Sequence, residues 1–279
     1  MVRPRRDGPT LPDGSALRLT SISSPRVQAV RRLSRRSARA AERRFVVEGP
    51  QAVREALDTL LELYVDDVGA ANHADLVARA PCPVTRVSPE VLAALAETVT
   101  PQGLVGVAPL LDVDLATALT GSPRLVVVLE AVADPGNAGT VVRTADAAGA
   151  DAVVLTEGST DLHGGKLVRA SAGSLWHLPV VAGVDVATTV AAAAAAGLQV
   201  LATSGSAAAE DLDDLLDAGV LTAPTAWLLG NEAAGLSAAA LEAADRTVRV
   251  PLHGRAESLN LATAAAVCLY ASARAHRRR

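Results

Sequence analysis

The sequence predicts an α/β protein in which a small α/β domain precedes a larger domain built on a mostly parallel sheet. Half of the 279 residues are apolar, which is enough to bury cores in two domains. Short apolar runs alternate with helical stretches through the second half, a pattern typical of parallel strands covered by helices on both faces. The N-terminal part differs in composition, because it is rich in Pro, Gly and Arg.

Composition divides the chain into four parts. Residues 1–19 are predicted as a disordered basic tail, residues 20–108 as the small domain, residues 109–123 as a linker and residues 124–279 as the larger domain. In the small domain, a basic helical segment over 24–44 is followed by a strand at 45–47, a helix and three short strands within "LELYVDD", "CPVTRVS" and "LVGVAPL".

The larger domain contains six predicted strands and a long last helix. The helix spans about 258–273, and the strands lie at 125–130, 151–156, 178–181, 199–203, 226–229 and 248–252. Ligands of such sheets bind at the carboxyl ends of the strands, so the loops after residues 130, 203, 229 and 252 are the candidate site.

Charge is distributed unevenly along the chain. Residues 1–44 contain twelve arginines and three acidic residues, a net charge of +9, although the whole chain carries −4. A basic segment on an acidic body indicates a polyanionic partner such as nucleic acid. A solvated tail without a partner is the alternative, and charge alone does not separate the two.

Several classes of protein are disfavoured. Cys82 and Cys268 are far apart and the five histidines show no ligand spacing, so no metal site is predicted. No apolar stretch follows the charged N-terminus and the apolar run 191–196 is too short to span a bilayer, so we expect a cytoplasmic protein without a membrane partner. No G-x-G triplet occurs, which argues against the usual NAD and ATP sites.

The first candidate loop reads "ADPGNAGTVVRTADAAG". Asn137 suits a helix N-cap, and Gly139 allows a close approach of another backbone. Arg143 then lies within the helix, where the simpler interpretation is a surface arginine paired with Asp146.

The second and third loops read "LLGNEAAGLS" and "VPLHGRAESLNLATAAAVCLYASAR". Glu232 is a carboxylate that a helix N-terminus would stabilise. Ser258 or Asn260 could cap the last helix. Each of these structural explanations is sufficient when its loop is considered alone.

Together, the three loops resemble the motifs of the SpoU/TrmH family of RNA ribose 2′-O-methyltransferases, part of the SPOUT superfamily. "DPGNAGTVVRTADAAGADAVVL", "LLGNEAAGLS" and "VRVPLHGRAESLNLATAAAVCLY" are similar to its first, second and third motifs, in the same order and spacing. The resemblance covers residues 124–275. The stretch "RRFVVEGPQAVREAL" is similar to a substrate-binding domain that often precedes this catalytic domain.

The resemblance implies a SPOUT-type parallel sheet with a C-terminal trefoil knot, an exception to the rule against threaded chains. It implies that S-adenosylmethionine binds in the knotted loops, held mostly by backbone groups. The residues that match its cofactor positions are Thr203, Gly230, Val250 and Leu259. It also implies a homodimer whose active site is shared between subunits.

The resemblance further identifies Arg143 with the catalytic arginine of the family. Because an arginine keeps its proton in a protein, orientation and electrostatic stabilisation are the expected roles, with a phosphate or solvent as proton acceptor. By the same match, Asn137 and Glu232 shape the ribose pocket and hold Arg143. Ser258 and Asn260 are expected to orient the methionine end of the cofactor and the loops.

The expected substrate is structured RNA, with 23S rRNA first and tRNA second. A non-catalytic RNA-binding or ribosome-assembly factor on the same fold is the rival from another class, and housekeeping modification and antibiotic resistance both stay open as purposes. Aromatic residues are scarce in the small domain, so RNA contact should depend on phosphate charge. The predicted RNA-binding residues are Arg31, Arg32, Arg35, Arg36, Arg39, Arg43 and Arg44.

Overall fold

The computed structural model describes residues 18–277. The chain divides into two compact units between Leu110 and Leu111, and we call them the first and the second unit. Among the described residues, no helix is both long and apolar enough to cross a bilayer.

The first unit is a four-stranded mixed sheet with helices. Its helices are α1 (Pro25–Arg32), α2 (Arg36–Glu42), α3 (Pro50–Ala56), α4 (Asp67–Asn72), α5 (Ala74–Arg79) and α6 (Pro89–Leu95). Its strands are β1 (Arg44–Glu48), β2 (Glu62–Val65), β3 (Val84–Arg86) and β4 (Leu104–Pro109). In the order β1-β4-β2-β3, the β2–β3 pair is parallel and the other two pairs are antiparallel.

The basic segment 24–44 is an integral part of the first unit. It forms two helices and not one, because the chain leaves helical geometry at Arg35. The side chains of Val27, Val30 and Leu33 are fully buried and pack on Tyr64 in the sheet. Burial of three such side chains contributes several kcal/mol, so the unit depends on this segment for its core.

Two predicted boundaries differ in the structure. Residues 1–17 of the predicted tail 1–19 lie outside the described residues. Leu19 pairs with Val87, so the first unit begins before the predicted boundary at residue 20. The predicted linker 109–123 contains the end of β4 and a short helix, α7 (Leu115–Ala118). The buried side chain of Ala118 packs into the core of the second unit, so the segment is structured by that contact.

The second unit contains a fully parallel sheet in the order β7-β6-β5-β10-β8-β11-β9. Its strands are β5 (Leu125–Leu129), β6 (Ala152–Thr156), β7 (Val180–Val184), β8 (Gln199–Thr203), β9 (Glu210–Asp211), β10 (Thr225–Leu229) and β11 (Arg246–Arg249). Its remaining helices are α8 (Pro135–Ala148), α9 (Gly165–Ala170), α10 (Val186–Ala195), α11 (Leu212–Asp217), α12 (Ala238–Ala243) and α13 (Leu261–Arg277).

This sheet confirms the predicted α/β class and contains a strand at each of the six predicted positions. The ends of individual strands differ from the prediction by up to three residues. The two-residue strand β9 is not predicted, because it is too short to give an apolar run.

Helix α8 is fixed by its cap and by one close contact. Asp134 is the N-cap and accepts from the backbone N–H of Asn137 (2.8 Å), whereas Asn137 itself was expected to cap. Pro135 favours the first helical position, so the helix begins earlier and Asn137 lies inside its first turn. A Cβ on Gly139 would lie 2.6 Å from the Leu167 carbonyl oxygen of α9, which confirms the predicted close approach.

The buried face of α13 contains a thiol that the packing makes unreactive. Cys268 is fully buried, and burial raises its pKa to about 12. Cys82 is half-buried, and burial raises its pKa as well.

Because the thiolate is the reactive form, iodoacetamide at neutral pH should modify Cys82 slowly in the native protein. Cys268 should react only after unfolding in guanidinium. Peptide mass spectrometry distinguishes the two sites, and native modification of Cys268 would contradict its burial.

Candidate active site

The carboxyl ends of β8, β10 and β11 meet at one edge of the parallel sheet, and the loops that follow them line one cavity of about 940 Å³. This volume is near the upper end of the usual range for small-molecule sites. The four predicted cofactor residues, Thr203, Gly230, Val250 and Leu259, all line it. The chain thus brings together positions that are 56 residues apart in sequence.

Four of the five predicted polar residues line the same cavity. These are Asn137, Glu232, Ser258 and Asn260. Asn260 also caps α13, because its Oδ1 accepts from the N–H of Ala262 (2.9 Å). Capping and a place in the site are therefore compatible at this residue, and the helix begins three residues later than predicted.

Glu232, Asn137 and Asn260 form a chain of hydrogen bonds across three loops. Asn137 Nδ2 donates to Glu232 Oε1 (3.0 Å), and Asn260 Nδ2 donates to Asn137 Oδ1 (3.0 Å). The amide of Asn137 is thereby fixed in one orientation, with its donor towards the carboxylate and its acceptor towards Asn260.

The carboxylate of Glu232 also binds the backbone at the start of α8. Its oxygens accept from the N–H groups of Ala133 (3.3 Å) and Asp134 (3.4 Å). Partial burial raises the pKa of Glu232, but the bonds from Asn137 and from these N–H groups outweigh it, and the net pKa is lowered. Glu232 is therefore an anion at neutral pH. Because a general base works best with a pKa near the working pH, this carboxylate is better suited to orienting a bound group than to abstracting its proton.

Arg143 lies elsewhere on α8. It is exposed and does not line the cavity, and its guanidinium makes no hydrogen bond or ion pair with any residue of 18–277. Six residues at about 100° each place it on a different face of the helix from Asn137. Asp146 is the alternative partner predicted for Arg143, but its Oδ2 lies 2.7 Å from His177 Nδ1. The prediction of a surface ion pair between Arg143 and Asp146 is therefore wrong.

Sequence reasoning missed further residues of the cavity wall. Asp211 and Arg249 line it and face each other through two 2.8 Å hydrogen bonds. The guanidinium of Arg249 lowers the pKa of Asp211, so this pair stays charged. Asp211 was not predicted because it lies in β9, which is too short to be recognised in the sequence. Asn231 and Leu229 could have been predicted as neighbours of Gly230.

The donor set of the cavity fits a nucleoside joined to an amino acid. Leu229, Val250 and Leu259 offer apolar surface for a planar ring, and the hydroxyl of Ser258 offers a polar atom for the hydroxyl, amino and carboxylate groups of such a ligand. Among residues 18–277, no cluster of His, Cys, Asp or Glu could hold a metal ion.

The seven predicted RNA-binding arginines occupy different environments. Arg31, Arg35 and Arg36 are exposed, and their guanidinium groups have no hydrogen-bonding or ionic partner among the described residues. Arg32 is exposed, and its Nη2 lies 3.9 Å from Glu42 Oε1. Arg43 is also exposed, and its backbone adopts the left-handed helical conformation. Arg31, Arg32 and Arg35 line a second cavity of about 360 Å³ in the first unit.

Two of the seven arginines stabilise the first unit. Arg39 is buried, and its Nη1 donates to the carbonyl oxygen of Leu33 (2.6 Å). Its prediction as an RNA contact is wrong, because the helix packing encloses it. Arg44 is half-buried. Its Nε donates to Glu42 Oε2 (2.9 Å), and its Nη1 lies 3.5 Å from Glu62 Oε1.

Comparison with known proteins agrees with both units. The model of the SpoU rRNA Methylase family matches residues 124–270, and the model of the MRM3-like substrate binding domain matches residues 24–106. The 23S rRNA (guanosine(2553)-2'-O)-methyltransferase RlmP of Bacillus subtilis is 36% identical over 257 residues, which are 90% of this chain and 97% of that protein.

Two solved structures with a similar fold contain bound AdoMet. The AdoMet-bound rRNA methyltransferase from Sinorhizobium meliloti has a TM-score of 0.80 and 31% identity, covering 92% of this chain and 97% of its own. The SpoU methyltransferase AviRb from Streptomyces viridochromogenes, in complex with AdoMet, has a TM-score of 0.80 and 29% identity, covering 92% and 100%. The chain belongs to the SpoU rRNA methylase family and is an S-adenosylmethionine-dependent RNA 2′-O-methyltransferase.

Proposed function

We propose that this methyltransferase acts on a ribose 2′-hydroxyl of 23S rRNA. The observation that carries the proposal is the single cavity that gathers all four predicted cofactor residues and the Glu232–Asn137–Asn260 chain. The Bacillus subtilis relative, named for a 23S rRNA guanosine, supports the choice of RNA. A tRNA is the second candidate substrate, and an rRNA substrate would place the protein in the cytoplasm.

S-adenosylmethionine supplies a methyl group already activated on a sulfonium, so the protein has to align the acceptor and stabilise charge on its oxygen. Glu232, ionised and fixed by Asn137, can accept a hydrogen bond from a ribose hydroxyl and thereby orient it. Ser258 and Asn260 contribute polar atoms from the third loop. Arg143 keeps its proton and would hold the phosphate next to the reacting ribose.

The proposal includes a homodimer, because Arg143 does not line the cavity of its own chain. A second subunit would bring its Arg143 to this cavity. Helix α13, which packs on α8, exposes the side chains of Val267 and Tyr270, and an apolar strip of this kind suits an isologous contact. The implied trefoil knot belongs to the same proposal, supported by the meeting of loops 203–205, 229–236 and 250–260 around one cavity.

The dimer predicts complementation between two inactive variants. Arg143→Ala and Asn260→Ala proteins should each be inactive, whereas refolding them together should restore about a quarter of the wild-type activity through mixed dimers. Light scattering should give twice 28.4 kDa for the wild type. A monomeric mass with full activity would contradict the shared site.

The RNA surface predicts a change in salt dependence. The Arg31→Ala/Arg35→Ala variant should bind rRNA about 10- to 100-fold more weakly and lower the slope of log K against log salt by about two, because two phosphate contacts are lost. Arg79→Ala, an exposed arginine of α5 outside the predicted set, is the control for loss of surface charge. An unchanged slope in the double variant would show that this surface does not face RNA.

The function itself is tested by transfer of tritiated methyl from S-adenosylmethionine to separate pools of rRNA and tRNA. Label in 23S rRNA alone is the expected result, and its position follows from primer extension. Label in tRNA alone would select the second substrate. Cofactor binding without label in naked RNA or in ribosomal particles would favour the rival, an RNA-binding factor.

A further inference from the structure

We propose that Glu130 is a positioning residue that holds the loop 230–237 against the cofactor cavity. Glu130 follows the last residue of β5, and only 8% of its surface is exposed. It does not line the cavity, so its effect on the cofactor must pass through other residues. The inference rests on the proposed function, because it concerns the cofactor wall of that same site.

Both oxygens of Glu130 bind a single residue at the end of this loop. Ser237 Oγ donates to Glu130 Oε1 (2.6 Å), and the backbone N–H of Ser237 donates to Glu130 Oε2 (2.9 Å). A carboxylate that accepts two bonds from one residue fixes both its backbone and its side-chain rotamer.

Ser237 passes this constraint to α12. Its Oγ accepts from the N–H of Ala240 (3.1 Å) and is the N-cap of the helix. Because the hydroxyl proton is used by Glu130, the oxygen is oriented to accept at the cap. Helix α12 has only six residues and its first two are exposed, so it depends on its cap more than a longer helix would.

The residues before Ser237 form the wall of the cavity. Gly230, Gly235 and Leu236 line it, and Asn231 and Gly235 exchange two backbone hydrogen bonds of 3.0 and 2.9 Å. A Cβ on Gly230 would lie 2.3 Å from the backbone nitrogen of Leu236. The two ends of the loop are therefore in contact, and a displacement of Ser237 would move Gly235 and Leu236, which line the cavity.

The other end of the loop has its own anchors. Asn231 Nδ2 donates to the carbonyl oxygen of Ala131 (2.7 Å), and Glu232 is held by Asn137 and the start of α8. Loss of Glu130 should therefore loosen the half of the loop that contains Gly235 and Leu236 and leave Glu232 in place. This separates an effect on cofactor binding from an effect on the transfer step.

The test measures the Kd of S-adenosylmethionine by calorimetry for the full-length Glu130→Ala and Ser237→Ala variants and for the double variant. Each single variant should bind the cofactor about tenfold more weakly. The double variant should lose less binding free energy than the sum of the two single losses, because both single variants remove the bond between Ser237 Oγ and Glu130 Oε1, whereas the bond from the backbone N–H of Ser237 survives in Ser237→Ala. KM for the cofactor should rise by the same factor, while kcat at saturation stays within about threefold of the wild type. Glu130→Gln, which keeps the shape and one acceptor, should recover most of the affinity.

Two controls separate positioning from a loss of stability. Glu48 is an equally buried carboxylate in the first unit, bonded to the backbone N–H groups of Glu97 and Thr98. Glu48→Ala should lower Tm without changing the Kd of the cofactor. Hydrogen exchange of the ligand-free Glu130→Ala protein should rise in residues 233–237 and remain unchanged in β5.

The outcomes are distinguishable. A Glu130→Ala protein that is folded and binds the cofactor like the wild type would overturn the positioning role and leave the proposed function intact. Additive losses in the double variant would also overturn it, because the two residues would then act separately. A wild-type protein that does not bind S-adenosylmethionine would overturn the proposed function itself.

Discussion

Arg143→Ala is expected to abolish methyl transfer and to leave the affinity for S-adenosylmethionine unchanged. Removal of one positioned group that stabilises charge in the transition state costs about a hundred- to a thousandfold in kcat. The Kd of the cofactor should not change, because Arg143 does not line the cavity of its own chain and the Arg143 of the second subunit is proposed to contact the RNA phosphate and not the cofactor. Stability should not change either, since Arg143 is exposed and its guanidinium has no partner among residues 18–277.

Arg143→Lys shows which property of the arginine matters. A lysine keeps the charge but loses the planar fork that holds a phosphate through two hydrogen bonds. If orientation of the phosphate dominates, the lysine variant should be nearly as inactive as the alanine variant. If point charge is sufficient, it should recover most of the rate.

Single-turnover methylation of rRNA, with calorimetry of the cofactor beside it, measures both effects. Arg79→Ala is the matched control, because it removes an exposed arginine that belongs to no predicted site. An alanine variant at position 143 that keeps most of its rate would refute the catalytic assignment. A variant that loses the cofactor as well would place Arg143 in the binding of S-adenosylmethionine instead.

The parallel sheet is predictable from sequence because its strands are buried on both faces. Runs such as Leu125–Leu129 and residues 226–229 are apolar throughout and can be recognised without knowledge of the strands that pair with them. Their order in the sheet is not predictable in this way. Strand β10 lies between β5 and β8, an arrangement set by crossovers that leave no local pattern in the sequence.

The segment 24–44 shows how composition can hide a core element. Its arginines favour the interpretation as a basic arm, yet Val27, Val30 and Leu33 recur at three-residue spacing and form one buried face. Truncation of residues 1–44 would remove this face together with the charge. Point substitution of Arg31 and Arg35 is therefore the sharper test of RNA binding.

The candidate site was predictable as three loops but not as a geometry. The loops follow strands, so their approach to one edge of the sheet was expected. The bond between Asn137 and Glu232 joins residues 95 positions apart and depends on the adjacency of β5 and β10. The cap at Asp134 and the position of Arg143 outside the cavity were not predictable either. Both depend on tertiary structure, because the sequence of the first loop alone is compatible with several arrangements.

Gly230→Ala is expected to reduce the affinity for S-adenosylmethionine by about a hundredfold or more. A Cβ at this position would lie 2.3 Å from the carbonyl carbon of Gly235 and 2.3 Å from the nitrogen of Leu236. Both atoms belong to backbone, so no side-chain rotation relieves the contact. Normal van der Waals separation is about 3.5 to 4.0 Å, so the loop must move by about 1 Å or more, and Gly235 and Leu236 would leave their places in the cavity wall.

Gly254→Ala provides the control for this substitution. Gly254 lies in the loop 250–260, outside the cavity lining, and a Cβ there meets no atom within 4 Å. Its alanine variant should bind S-adenosylmethionine like the wild type, so that a loss confined to Gly230→Ala isolates the contact with Gly235 and Leu236. If calorimetry gave equal affinities for both variants, the wall formed by Gly235 and Leu236 would not hold the cofactor. The binding site would then have to lie nearer to Thr203 and Val250.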